Sequence, residues 1–142
     1  MNKGFTLIEV IIVICIILLL FAIAWPIGAN FYRQSLLSKA QQQVIWILKQ
    51  ARNDAINQKN NSAYGVHFSN GEAIIFQGDN FANRAVVNDI NYTLPKIVAI
   101  SGLQELFFAP NTGFVSSPGS LILSSSGGSK EIIINKLGVI DY

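Results

Sequence analysis

Few residues in this chain of 142 could do chemistry: it holds one His, His67, one Cys, Cys15, and 8 Asp and Glu against 10 Lys and Arg. A lone Cys closes no disulfide within the chain. His67, with no second His and no Cys beside it, cannot assemble the tetrahedral nitrogen and sulfur set of a zinc site. It is expected as the polar-side, surface member of a strand rather than as a ligand or a base. Asp79 and Asp89 lie in a polar, Asn-rich stretch that lacks the closely spaced oxygen ligands a calcium site needs, so both read as loop carboxylates. No Ser/His/Asp set, paired-carboxylate pocket or phosphate-cradling Gly loop stands out, and neither enzyme activity nor a cofactor is expected. A formal net charge of +2, carried by scattered cations, makes no field of the kind that nucleic-acid binding uses. The acid in an unusual place is Glu9.

Glu9 stands at the edge of 23 consecutive uncharged residues, Val10 to Tyr32, most of them Ile, Val, Leu, Phe and Ala. Such a run suffices for a bilayer, whose hydrocarbon core of about 30 Å takes roughly 20 helical residues. A cleaved secretory signal would have an apolar core of only about 7–15 residues followed by a small-x-small cleavage site, and neither feature is present. A retained membrane helix is the expected outcome. A carboxylate among lipid tails costs about 2.5–3.5 kcal/mol on insertion scales, so Glu9 must be shallow or paired. It could be a first-turn acid favoured by the helix dipole, or it could meet a positive charge from another subunit. No basic residue of the same chain lies one helical turn away inside the run.

The segment Lys3-Gly4-Phe5-Thr6-Leu7-Ile8-Glu9-Val10 resembles the class III signal of type IV prepilins and type II secretion pseudopilins. The resemblance implies a cut between Gly4 and Phe5 by a prepilin peptidase, N-methylation of the new Phe5 amine, and assembly governed by Glu9. That carboxylate would meet the terminal ammonium of a neighbouring subunit. Residues 1–4 are then a leader, and residues 5–32 a transmembrane and filament-packing helix. The implied location is the bacterial inner membrane, crossed once with a cytoplasmic amino terminus and an outward-facing head, and later the pilus or pseudopilus. The implied partners are the peptidase, other pilin or pseudopilin subunits and an inner-membrane assembly platform, with a cytoplasmic ATPase supplying the work. Charge alone orients the span weakly, because Lys3 on one side faces Arg33 and Lys39 on the other.

Pro26 lacks an amide proton and removes a bond to the carbonyl of Ala22, and Gly28 adds a second weak point, so helix flexibility is expected there. Beyond the span, Leu37, Ala40, Val44, Ile47, Leu48, Ala51 and Ala55 recur at spacings of three and four, the stripe of a helix that buries one side. A continuous helix from Phe5 to about Gln58 would reach roughly 80 Å. Asn60 and Asn61 end the pattern. Residues 33–61 form the amphipathic portion that packs on a head spanning 62–142. Trp25 and Trp46 read as packing or interfacial residues.

After the helix the period changes to two. Tyr64, Val66 and Phe68 alternate with polar or small residues, Asn70-Gly71 predicts a hairpin, and Glu72 to Phe76 returns. Gln77 to Tyr92 reads as a loop with a short strand near Ala85 to Val87. Lys96 to Ile100 and Leu103 to Ala109 read as strands separated by Ser101-Gly102. Gly127-Gly128 should turn Leu121 to Ser125 back onto Glu131 to Asn135, with a last strand at Val139-Ile140. The expected fold class is α+β, a long amino-terminal helix packed on an antiparallel meander.

Ala51-Arg52 with Ala55-Ile56, Phe108-Ala109-Pro110 with Gly113, and Asn135-Lys136-Leu137-Gly138-Val139 resemble segments of the GspH/FimT minor-pseudopilin family. Arg52 reads as a solvated or domain-capping residue. Some FimT-like minor pilins bind DNA through basic carboxy-terminal residues. Here Val139 replaces the Arg that follows the closing Gly in the family, which weakens a DNA-uptake role because phosphate contact needs Lys or Arg. The readings are thus a minor pilin or pseudopilin subunit, a binding head for DNA or a secreted protein, and a lone membrane-anchored structural protein.

Overall fold

The computed structural model describes residues 4–57, 62–69 and 71–142, with the backbone but not the side chains of residues 24–27. Helix α1, Leu7–Ile56, has 50 residues. With a rise of about 1.5 Å per residue, it is about 75 Å long. Among the described residues eight strands follow: β1 Tyr64–Ser69, β2 Glu72–Gln77, β3 Ile90–Thr93, β4 Ala99–Gly102, β5 Glu105–Phe108, β6 Gly119–Ser125, β7 Gly128–Ile134 and β8 Ile140–Asp141. The fold is α+β.

The stripe on α1 is buried as its spacing predicts: Leu37, Ala40, Val44, Ile47, Leu48, Ala51 and Ala55 are all 3% exposed or less. The helix closes at Ile56, with Asn57 donating its N–H to the Asn53 carbonyl. The expected end at Asn60 and Asn61 lies outside the described residues.

The head departs from a single meander. It is two antiparallel four-stranded sheets, ordered β3-β2-β1-β5 and β4-β6-β7-β8. The strand expected at Lys96 to Ile100 begins at Ala99, because Pro95 to Val98 is a turn closed by Val98 N–H to the Pro95 carbonyl at 2.9 Å. Ser101 and Gly102, expected to lie between strands, belong to β4. The chain then changes sheets, so β4 pairs with β6 while β5 pairs with β1. Gly102 permits the change. Its φ is +90°, and a Cβ there would stand 2.4 Å from the Ser120 carbonyl oxygen. Only Gly accepts both conditions without strain.

Inner faces of both sheets cover the stripe, through Val66, Ala73, Ile75, Leu106 and Phe108 in one and Leu121, Leu123, Ile132 and Ile134 in the other, all buried. The β1–β2 hairpin has the expected two-residue turn, from the pairing of Ser69 with Glu72; Gly71 has φ +83° and Asn70 lies outside the described residues. The β6–β7 turn is Ser126-Gly127, one residue earlier than expected, since Ser125 pairs with Gly128.

The stretch before β3 holds 3-10 turns at Phe81–Asn83 and Val86–Asn88 rather than the short strand expected near Ala85 to Val87. Its position is set by Phe81, which lies on the outer side of the first sheet. The ring stacks on His67 at 3.9 Å and meets Phe76 edge-on at 5.5 Å. The Phe81 N–H donates to Glu105 Oε1 at 2.8 Å, and the Arg84 guanidinium lies 3.7 Å over the Phe81 ring while its Nε donates to Asp89 at 2.7 Å. His67 is therefore half-buried under an aromatic lid, not a plain surface residue. Asp89 is the anchor of an ion pair. Gly65 makes room for this layer, since a Cβ there would come 2.2 Å from the Phe76 ring.

Candidate functional site at the amino terminus

Thr6 begins α1 as its N-cap, with extended backbone at φ -79° and ψ 153°. A Thr here is a preferred cap because its hydroxyl satisfies an amide that the first turn leaves unpaired. Glu9, three residues on, completes a capping box. The Thr6 N–H and hydroxyl donate to Glu9 Oε2 at 2.8 and 2.9 Å, and the Glu9 N–H donates to Thr6 Oγ1 at 3.4 Å. The carboxylate thus has a partner in its own chain, which among the described residues is the uncharged Thr6. Both bonds it accepts are to Oε2, and it lies against the amide immediately after Phe5.

Gly4 and Phe5 precede the helix, and Phe5 is 87% exposed. Every residue from Gly4 to Ile23 is exposed, including each Ile, Val, Leu and Phe of that stretch. The Pro26 and Trp25 side chains lie outside the described residues. The backbone of α1 is helical through Pro26 and Gly28, and a Cβ at Gly28 would meet nothing within 4 Å. Among the described residues no packing contact requires a Gly there. Among the described residues no group of three or more His, Cys, Asp and Glu could hold a metal ion.

Residues 1–25 match the family described as the prokaryotic N-terminal methylation motif. The chain is prepilin-like at its amino terminus. Among solved structures, this prepilin-like chain is similar to the minor pseudopilin EpsH from the type 2 secretion system of Vibrio cholerae. The identity is 15% and the TM-score 0.47, over 75% of this chain and 91% of that one. No curated protein matches the chain.

A second cluster, at the far end of α1, brings together segments far apart in the chain. Arg52 donates from Nη2 to the Leu137 carbonyl at 3.3 Å. A Cβ at Gly138 would lie 2.2 Å from the Gly113 carbonyl oxygen and 2.9 Å from Arg52 Nε, and one at Gly113 would lie 2.8 Å from Ile56 Cδ1. The Asn111 N–H donates to the Ala55 carbonyl at 3.1 Å, and Asn135 Oδ1 accepts from the Leu137 and Val139 amides. The three segments likened to minor pseudopilins therefore meet at one junction. Arg52 caps the head there. The signal was the three short resemblances themselves, which were legible one by one but carried no sign that they touch.

Proposed function

We propose that the chain is a minor pilin or pseudopilin subunit, cut between Gly4 and Phe5 by a prepilin peptidase, methylated on the Phe5 amine, and assembled into a type IV pilus or a type II secretion pseudopilus. In this reading residues 1–4 are the leader, 5–32 the transmembrane and filament-packing helix, 33–61 its amphipathic continuation and 62–142 the head. The subunit waits in the inner membrane with its head outward. Other subunits and an assembly platform are its partners.

The observation that carries the reading is the uniform exposure of Gly4 to Ile23 on a helix whose other half is packed. Among the described residues nothing covers these apolar side chains, so lipid solvates them first and neighbouring helices afterwards. Removal of the leader would leave an ammonium at Phe5, one residue from the amide that donates to Glu9. Glu9 Oε1 accepts no hydrogen bond among the described residues and is the atom offered to a neighbour's ammonium. Each charge offsets the other's desolvation. Pro26 and Gly28 serve as the place where α1 adjusts as it packs against other subunits.

Replacing Glu9 tests the reading. With Glu9→Ala the chain should remain in the membrane fraction while its crosslinks to other pilin-like subunits fall several-fold. Equal yields of crosslinked partner from variant and wild type would overturn the role of Glu9. Processing is read separately, from a mass measurement showing the chain to begin at a methylated Phe5.

A further inference from the structure

The head reaches back to the point where α1 leaves its charge-free run. The turn between β6 and β7 lies against the first two residues beyond that run: a Cβ at Gly127 would come 3.2 Å from the Gln34 backbone nitrogen and 3.3 Å from Arg33 Cβ. The opposite end of the head is far away, since the Asn111 amide bonds to Ala55. That is about 30 Å further along the helix axis.

Depth follows from the helix rise, and this step rests on the membrane reading above. A hydrocarbon core of about 30 Å entered at Val10 is left near residue 30, and headgroups extend the membrane to about 40–45 Å in all. Arg33 and Gln34 then stand roughly 5 Å past the hydrocarbon, within the headgroup layer. The turn packed on them is at the same depth.

The residues at that end suit the location. Phe31 and Tyr32 are 73% and 64% exposed. Aromatic residues gather at membrane interfaces, where their rings sit at headgroup level. The turn and its flanks, Ser124 to Ser129, are four Ser and two Gly, with no apolar side chain to bury and no acid to be repelled. Arg33 and Lys39 are exposed on α1. Lys130, half-buried, follows the turn on the side of β7 shared by the buried Ile132 and Ile134, which faces the helix. The nearest acid in the strand, Glu131, points to the other face.

We propose that the β6–β7 turn with its flanking strand ends, residues 125–129, and with Arg33 and Lys130 beside it, is a contact for anionic phospholipid headgroups that seats the head on the outward surface of the membrane before assembly. The cations supply attraction to phosphate, and the small polar residues let the turn enter the headgroup layer without displacing lipid tails. Such a seat fixes how the head is turned about α1 when a neighbour arrives.

The test uses the full chain reconstituted in vesicles of phosphatidylcholine and phosphatidylglycerol that carry a headgroup nitroxide. A fluorophore is placed at Ser126→Cys or Thr112→Cys in a Cys15→Ser background. Quenching at position 126 should exceed that at 112 several-fold, and Arg33→Gln with Lys130→Gln should reduce it. Equal quenching at the two positions, or no response to the paired substitution, overturns the proposal. A fluorophore on Cys15 itself, with an acyl-chain nitroxide, reads the span independently. Absence of quenching there overturns the membrane reading instead.

Discussion

One helix supplies both halves of this molecule, and the two halves bury their side chains in opposite ways. From Leu7 to Ile23 α1 is apolar on nearly every side and exposed on every side, whereas from Leu37 to Ala55 it is apolar on one stripe and that stripe is covered by two sheets. The second half is solved within the chain. The first half can only be solved by something outside it, lipid or other helices, because a helix apolar all round has no face to turn to water. A chain divided this way closes its core around the second half of α1 and leaves the first half exposed among the described residues.

The contrast is broken most sharply at Leu48, which is fully buried between the sheets. Leu48→Ala should cost about 2–5 kcal/mol of head stability, the range for a large-to-small change in a packed core. Urea unfolding of the full chain in detergent micelles, followed by Trp46 fluorescence in a Trp25→Phe background, measures it. Gly138→Ala comes next. A left-handed backbone costs an L residue about 1–2 kcal/mol. Gly138 has that backbone, with φ +73°, and a Cβ there must also push aside the Gly113 carbonyl and Arg52. Gly119→Ala is the control, having an ordinary φ and only the end of Leu103 at 3.4 Å, and should leave the midpoint nearly unchanged.

How much of this was legible depends on whether the deciding forces are local. The buried stripe could be read because a period of 3.6 reports directly on one-sided burial. The amino terminus could be read because its run and its one acid are contiguous. The change of sheet between β4 and β5 could not, since strands adjacent in sequence usually pair. Only the close approach of Gly102 to Ser120, a tertiary fact, separates these two. The lid over His67 was hidden for a similar reason. Phe81 sits among Asn and Asp residues that signal a loop, and what fixes it, Glu105 and the Phe76 ring, arrives from two strands. Arg52, Gly113 and Gly138 meet only after the fold closes.

The smallest expected effect sharpens the contrast from the other half. Ile16 is 52% exposed on the amino-terminal half of α1, so Ile16→Ala removes apolar surface that the head does not cover. Ala is the better helix former, and the backbone of α1 should be undisturbed. In the same unfolding measurement the change should stay within about 0.5 kcal/mol, as for substitutions that touch no packed feature. A loss above about 1 kcal/mol, well outside that range, would mean that the first half of α1 supports the head in the single chain. The apolar run would then no longer be free to be matched by lipid or by other helices.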